Sequence, residues 1–296
     1  YMSVFYPKQR HYEHMVEEVK RLTHSAAPIP PVKIPAKNLT LDVDKDSTYN
    51  YLLSKRIEML GFMKRDAEFF EDSLAALISG IKSIQSAFGL IADGRIGSNT
   101  LDAINLTQEE KLKKIVVNME RMRWLPEEKS KRRILVNIAD FTLDFLEDED
   151  TIVQMRTVVG RDFRQTPVFE AKMTYLVFSP TWTVPPGILR NDVLPAIAKD
   201  KGYLNKNKMV ILDRSGKQID PASIDWQKAR KGSFPYMVRQ MPGDNNSLGR
   251  VKFMFPNKYN VYLHDTPSKN LFDRDGRTFS SGCIRIEKPA ELAYHL

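Results

Sequence analysis

Apolar side chains recur every three or four positions in the first part of the chain, which is the spacing of one helix face. Met15, Val19 and Leu22 follow this spacing, and a second short run, STYNYLLSKRIEMLGF, lies further on. The prolines of APIPPVKIPAK (27–37) separate the two runs, because proline fixes its φ angle and lacks an N–H. We therefore predict helical scaffold segments with a Pro-rich linker over residues 1–62.

A denser helical pattern occupies residues 72–105, where Leu, Ile and Phe side chains lead into FGLIADGRIGSNT and then TLDAIN. Asp93-Gly94 is typical of a tight turn, so the pattern predicts two helices joined by a glycine turn. A further helix, EEKLKKIVVNMERMRW, ends at Pro126. We predict that it connects this unit to the rest over residues 106–126.

After the connecting helix, apolar and polar residues alternate with the two-residue period of a half-buried strand. Ile134, Val136 and Ile138 lie on one face of the first run, and prolines and glycines separate the later runs. The pattern predicts an antiparallel, mainly β domain over residues 130–296. Residues 200–248 interrupt it with polar sequence rich in glycine and lysine, for which we predict a lid-like insertion without clear regular structure.

The chain carries a net charge of +8, with a pI of about 9.3. A basic surface suits nucleic acid, a membrane surface or an acidic cell-wall polymer, and it also occurs in proteins with none of these partners. The sequence has no RNA-binding signature and no zinc-finger spacing, so no nucleic-acid partner is predicted.

Neither end of the chain has the pattern of a natural terminus. Tyr1–Arg21 lacks the apolar core of a secretory signal, and the last residues, ELAYHL, read as the middle of a helix. No stretch approaches the ~18–20 uninterrupted apolar residues of a membrane span. We expect a trimmed product with further residues outside it.

Cys283 is the only cysteine, which excludes an internal disulfide and a multi-cysteine metal site. A lone thiol is either a small buried apolar group or a reactive one, and its neighbours must decide between the two. His11 and His14 lie three residues apart on a predicted helix, but the sequence offers no third ligand. Neither a metal nor a cofactor is predicted.

Two segments near the end of the chain, VYLHD and CIRI, have side chains that alternate between two faces with the two-residue period of a strand. Tyr262 and His264 share one face of the first segment, and Cys283 and Arg285 share one face of the second. If the two strands pair, a histidine, a cysteine, a tyrosine and an arginine meet on the polar side of the sheet.

Such a grouping suits nucleophilic catalysis. A free thiol, with a reference pKa of ~8.5, is mostly protonated at neutral pH, and a neighbouring imidazole can remove the proton and stabilise the thiolate. The backbone N–H groups of Gly282 and Cys283 are candidates for facing a developing oxyanion. Arg285 offers a fixed fork for a substrate carboxylate. The alternatives are a surface cation for Arg285 and a structural histidine for His264.

The motif YLHDTP, followed after His264 by eighteen residues and then by the cysteine of SSGCIRI, resembles the L,D-transpeptidase catalytic domain of the YkuD type. The segments RWLP, SPTWTVPPGILRNDVLP and SFPYMVRQMPGDNNSLG are similar to those of the large Gram-negative subgroup. The helix-turn-helix of residues 72–105 resembles the peptidoglycan-binding type 1 domain. The resemblance runs from about Leu52 to the chain end. It implies an α+β multidomain protein with a mainly β YkuD-type domain, a lid-like insertion, a small helical peptidoglycan-binding bundle and helical scaffold segments.

The resemblance also implies roles for single residues. The nucleophile falls on Cys283, the base on His264, the preceding glycine on Gly282, the active-site tyrosine on Tyr262 and the following basic residue on Arg285. Trp182 resembles a wall of the donor-peptide groove, and Ser281 is a further substrate-binding candidate. Many members have a second histidine where Ser281 stands, so only a mechanism that needs His264 alone survives. We expect a backbone carbonyl or Tyr262 to orient the imidazole, because alternation turns Asp265 away.

By resemblance, the reaction joins peptidoglycan stem tetrapeptides, as donor and acceptor, by 3→3 cross-links through a cysteine thioester. The resemblance also implies carbapenems as covalent inhibitors and the periplasm of a Gram-negative bacterium, with an inner-membrane tether outside this chain and membrane-associated cell-wall synthesis partners. Three alternatives stay open: an L,D-carboxypeptidase, a lipoprotein-anchoring transpeptidase and a non-catalytic peptidoglycan-binding protein. A papain-like protease is disfavoured, because that family places its cysteine before its histidine.

Overall fold

The computed structural model describes residues 10–24, 33–35, 47–63, 73–124, 130–148, 150–200, 202–232 and 234–296. The chain forms two compact units, Tyr1–Ser130 and Lys131–Leu296. The helices are α1 (Arg10–His24), α2 (Ser47–Met59), α3 (Ser73–Ala87), α4 (Ser98–Asn105), α5 (Gln108–Arg123), α6 (Pro186–Ile188), α7 (Leu194–Lys199), α8 (Tyr203–Lys206), α9 (Trp226–Lys231) and α10 (Pro289–His295). Among the described residues, no helix combines the length and the apolar content that crossing a membrane requires.

The strands all lie in the second unit as the structure describes it. They are β1 (Arg132–Asn137), β2 (Thr142–Glu147), β3 (Asp150–Gly160), β4 (Tyr175–Phe178), β5 (Trp182–Thr183), β6 (Met209–Leu212), β7 (Gln218–Ile219), β8 (Met237–Gln240), β9 (Val251–Met254), β10 (Leu263–His264), β11 (Thr278–Ser280) and β12 (Ile284–Ile286). The chain is thus a mixed helical and sheet protein, with helices in its N-terminal part.

The helical core of the first unit extends beyond the predicted helix pair of residues 72–105. α2 packs on α3, and α3 packs on α4. Their shared core contains Leu53, Ile57, Leu77, Ile81, Ile84, Leu101 and Ile104. Ile34, within the predicted linker, is also buried, and its backbone N–H and carbonyl both bond to the Asn105 side chain. Two short helices bury little apolar surface, so α2 and Ile34 complete the core.

A large mixed sheet organises the second unit. Its strands run in the order β1-β2-β3-β12-β10-β9-β4, and β11 lies beside β3. The apolar side of this sheet packs with α10 around Leu143, Phe145, Val153, Phe253, Leu263, Ile286 and Leu292. The first predicted strand is instead a hairpin: β1 ends at Asn137, and Ile138 lies in the turn before β2.

The prediction of an antiparallel sheet is wrong at two places. β10 pairs with β12 in parallel, and so does β11 with β3. A parallel pair needs a connection that returns the chain to the same end of the sheet. Residues 265–283 provide it through a 3₁₀ turn (Lys269–Asp273) and β11. This connection sets β10 and β12 side by side.

Residues 200–248 are not without regular structure, contrary to the sequence prediction. Together with residues 182–199 they form a second sheet, β5-β8-β6-β7, with short helices. It has its own apolar core around Val184, Leu194, Ile197, Ile211 and Val238. The strands are only two to four residues long and are separated by polar turns. Hydrophobic alternation over such lengths does not stand out from its surroundings.

Candidate active site

Two short neighbouring strands bring His264 and Cys283 to the same face of the large sheet. β10 and β12 pair with His264 opposite Arg285. The leucine and isoleucine of the adjacent pair, Leu263 and Ile284, belong to the apolar core. Because strand residues alternate between faces, Cys283 lies on the same side as Arg285 and His264. The predicted pairing of these two segments is confirmed.

Cys283 lies half-buried at a cleft of about 250 Å³. The cleft is lined by Arg164, Gln165, Pro167, Tyr259, Asn260, Val261, Ser281, Gly282 and Cys283 itself. The thiol donates a weak hydrogen bond to the Asn260 carbonyl, with 3.8 Å between sulfur and oxygen. Burial raises the pKa of the thiol, against hydrogen bonds from Tyr262 and the charges of Lys252 and Arg285. The group is therefore a thiol at neutral pH and needs a base to become a nucleophile.

His264 is buried, and its ring has a defined tautomer. Its Nδ1 bonds to the backbone carbonyl of Asp265, which can only accept, so Nδ1 carries the proton. Burial, chiefly, and then the charge of Arg285 lower the pKa of His264 to about 3. The imidazole is neutral at physiological pH, and its Nε2 lone pair is available as a base. The expectation that a backbone carbonyl orients the ring is confirmed.

The lowered pKa of His264 predicts a pH-dependent stability. The unfolded chain binds a proton at this residue below about 6.5, whereas the folded chain does so only near 3, so stability falls as pH drops through this window. Relative to His264→Gln, the unfolding free energy of the wild type should fall by about 1.4 kcal/mol for each pH unit below 6. Denaturant titrations from pH 7 to 4.5 measure this difference, and parallel curves would contradict it.

The turn before the nucleophile is held by side chains rather than left open. Gly282 has a φ of +113°, a left-handed conformation that favours glycine. Its N–H donates to Ser280 Oγ over 3.1 Å, and its carbonyl accepts from Thr166 Oγ1 over 2.9 Å. The Gly282 N–H is thus bonded to a side chain in this structure, and its role toward an oxyanion stays a prediction. Among the described residues, nothing accepts from the Cys283 N–H, which stays a candidate donor.

Ser281 is exposed at the cleft, and a neighbouring arginine holds its side chain. Arg164 Nη1 donates to Ser281 Oγ over 2.9 Å and to Asp192 over 3.2 Å. Arg164 follows β3, whereas Asp192 belongs to the helical segment beside the small sheet. One guanidinium therefore joins the nucleophile turn to the helical segment beside the small sheet. The predicted contact of Ser281 with substrate stays a prediction.

Tyr262 connects the nucleophile to the small sheet. Its ring centroid lies 5.7 Å from that of His264, and its hydroxyl bonds with Cys283. Burial is the main cause that raises the pKa of Tyr262, so the phenol keeps its proton. A hydrogen bond with the Trp182 side chain acts in the opposite direction and lowers this pKa. Trp182 lies on β5, so the structure brings it to the same site as the predicted Tyr262, His264 and Cys283.

Lys252 is a charged neighbour that the sequence reasoning missed. It lies on β9, opposite His264 in the antiparallel pair of β9 and β10. Its Nζ sits 3.8 Å from the centroid of the Tyr262 ring. Alternation in RVKFMF does put Lys252 on the polar face, but only the strand order shows which residues it meets. Within the described ranges, no group of three or more His, Cys, Asp or Glu side chains is arranged to hold a metal.

Comparison with known proteins assigns the domain that carries this site. Residues 131–296 match the model of the YkuD L,D-transpeptidase catalytic domain. The chain belongs to the YkuD L,D-transpeptidase family. Its YkuD domain spans the same residues as the second structural unit, which contains the thiol, the imidazole and the cleft. Members of the family act on peptidoglycan, and the domain is of a transferase type.

Two individual proteins are similar to this chain. A protein of Haemophilus influenzae named "Putative L,D-transpeptidase" is 40% identical over 189 residues, which are 64% of this chain and 37% of that protein. The chain therefore spans little more than a third of this relative. The crystal structure of L,D-transpeptidase (Yku) from Stackebrandtia nassauensis is 15% identical, with a TM-score of 0.34, covering 88% of this chain and 91% of that one. The family match does not reach residues 72–105, whose peptidoglycan-binding resemblance stays a prediction.

Proposed function

We propose that this chain is a cell-wall L,D-transpeptidase that forms 3→3 cross-links through a thioester on Cys283. The observation that carries the proposal is the neutral imidazole of His264, with a free Nε2 lone pair, on the same sheet face as the only thiol of a YkuD domain. A thiol with a raised pKa needs such a base. We further propose a periplasmic location, carbapenems as covalent inhibitors of Cys283 and cell-wall synthesis proteins as partners.

In the first half-reaction the thiol turns from the Asn260 carbonyl toward the imidazole and gives its proton to Nε2 of His264. The sulfur attacks the carbonyl of the third stem residue, and the carbonyl electrons move to the oxygen. The Cys283 N–H and the Tyr262 hydroxyl are the donors available for that oxyanion. When the intermediate collapses, the C–N bond breaks. The departing D-alanine amine takes the proton from His264, and the thioester stays on the enzyme.

In the second half-reaction a side-chain amine of another stem attacks the thioester. His264 takes a proton from the attacking amine, the C–S bond breaks, and the thiolate recovers the proton. The amide that results is the 3→3 link, and the bonds balance without any redox partner. Arg285 is proposed to bind a substrate carboxylate, since its Nε is buried without a hydrogen-bond partner among the described residues. Trp182 and Ser281 are proposed as walls of the groove.

The test is product analysis by mass spectrometry after incubation with purified disaccharide-tetrapeptide. The matched control is the same protein alkylated beforehand with iodoacetamide, since Cys283 is the only thiol to react. Dimers that lack one D-alanine, formed only by the untreated protein, are the expected result. Tripeptide monomers without dimers would identify a carboxypeptidase instead. Dimers formed equally before and after alkylation would contradict catalysis through Cys283, and unchanged substrate with both proteins would favour a binding role.

A further inference from the structure

Three basic side chains occupy neighbouring positions across the centre of the large sheet. The register of β9, β10 and β12 places Lys252 opposite His264 and His264 opposite Arg285. Like charges directly opposite each other on one sheet face are destabilising. Burial chiefly keeps His264 neutral, and the charges of Arg285 and Lys252 on either side also disfavour its protonation. Two full positive charges then face the site, and among the described residues the thiolate of Cys283 is the anion that acts on both of them.

Lys252 lacks the partner that a half-buried lysine usually has. Its strand neighbours Val251 and Phe253 point into the core, and its own side chain extends over the ring of Tyr262. Cys283, once ionised, is the group whose charge favours that of Lys252, and Arg285 is acted on by Arg161 and by ionised Cys283. Among the described residues, no carboxylate acts on either cation. Burying a cation without an anion costs free energy, so a function is a better explanation than stability.

We infer that Lys252 is a positioning residue that, together with Arg285, supplies the positive charge opposite the Cys283 thiolate. His264 then acts as a proton acceptor and donor and does not have to remain an imidazolium to stabilise the sulfur. The inference rests on the proposed function in treating Cys283 as the nucleophile.

The alternative is that Lys252 only steadies the Tyr262 ring. A cation over an aromatic ring contributes about 0.5–2 kcal/mol, which would matter for packing but not for the charge at sulfur. The other groups that face Cys283 do not replace this charge. Tyr262 offers neutral hydrogen bonds, the Trp182 side chain bonds to Tyr262, and burial opposes the thiolate. Removing the lysine charge therefore separates the two explanations.

The experiment measures alkylation of Cys283 by neutral iodoacetamide and by anionic iodoacetate from pH 5 to 10. In both reactions the thiolate forms a carbon–sulfur bond and iodide leaves with its electron pair, so no peptidoglycan substrate is needed. For Lys252→Met, the iodoacetamide rate at pH 7 should fall about tenfold, equal to a rise of one pKa unit at the thiol. The ratio of iodoacetate to iodoacetamide rates should also fall, because a cation attracts the anionic reagent.

Two further variants make the result decisive. Lys252→Arg keeps the charge. It should therefore restore most of the iodoacetamide rate at pH 7 and most of the ratio of iodoacetate to iodoacetamide rates. Lys258→Met removes an exposed lysine that lies over the ring of Tyr259, with Nζ 5.1 Å from the centroid. It changes net charge equally but should change the rates less than about twofold, since solvent screens an exposed charge. Thermal unfolding of each variant confirms that it is folded.

The inference would be overturned if folded Lys252→Met kept the wild-type pH midpoint of Cys283 alkylation and the wild-type ratio of iodoacetate to iodoacetamide rates. An equal loss of alkylation rate in Lys258→Met would overturn it as well, because the loss would then be caused by the change in net charge. These outcomes are independent of the proposed reaction. A wild type that makes no cross-linked dimer but loses thiol reactivity on Lys252→Met would refute the transpeptidase proposal and leave the role of Lys252 intact.

Discussion

Replacing His264 with glutamine is expected to slow formation of the thioester at pH 7 by about 10²- to 10⁴-fold, the usual contribution of a positioned general base. Glutamine can keep a donor toward the Asp265 carbonyl, but it has no lone pair able to take the thiol proton. The loss should be large here because burial raises the pKa of Cys283 and leaves little thiolate without a base. The rate is measured in a single turnover with stem tetrapeptide.

The pH dependence of this variant distinguishes loss of the base from loss of the fold. Above the pKa of the thiol, solvent removes the proton, so the difference between His264→Gln and the wild type should narrow as pH rises. His24→Gln is the matched control. His24 also bonds a backbone carbonyl, that of Lys20, through Nδ1, but it is exposed. A His264→Gln rate within threefold of the wild type at pH 7 would exclude His264 as the base.

Gly160→Ala is expected to lower the unfolding free energy by about 3 kcal/mol or more, since overpacking against atoms that cannot move reaches this range. A Cβ at Gly160 would lie 2.1 Å from the Arg164 carbonyl oxygen and 2.6 Å from the Thr166 nitrogen. Both are backbone atoms of the loop that folds over the end of β3. That loop cannot move without losing its contacts with the nucleophile turn.

The same substitution should damage the site as well as the fold. Thr166 Oγ1 accepts from the Gly160 N–H and donates to the Gly282 carbonyl, both over 2.9 Å. Displacing the loop therefore releases the turn before Cys283. Gly276→Ala is the control, because no heavy atom lies within 4 Å of its added Cβ. Denaturant unfolding and thiol alkylation measure the two effects. Equal stability of the two variants would show that the Gly160 contact can relax.

Alternation alone predicts the faces on which the catalytic candidates lie. VYLHD and CIRI each carry two polar side chains two residues apart, and the observed pairing of β10 and β12 puts them together. The direction of that pairing could not be predicted, because it depends on how residues 265–283 cross back over the sheet. For the same reason Lys252 was missed, since its place beside His264 follows from strand order rather than from local sequence.

Other details depend on side chains that come together only in the folded chain. The hydrogen bond between the Gly282 N–H and the Ser280 hydroxyl is one such detail. Sequence shows a serine two residues earlier but not its rotamer. The small sheet was missed because Ile211 and Val238 become core residues only when their short strands pair. Likewise, nothing near Ile34 indicates that Asn105, 71 positions later, bonds its backbone.

The proposed reaction requires a covalent bond at Cys283, and the mass of the intact protein tests this bond most directly. Wild type and Cys283→Ala are each mixed with stem tetrapeptide and quenched with acid at short times, before the amine of a second stem has consumed the thioester. We predict a wild-type species heavier by the acyl tripeptide, with release of D-alanine, and no such species in Cys283→Ala. An adduct of the same mass on Cys283→Ala, or cross-linked dimers made by that variant, would contradict catalysis through this cysteine.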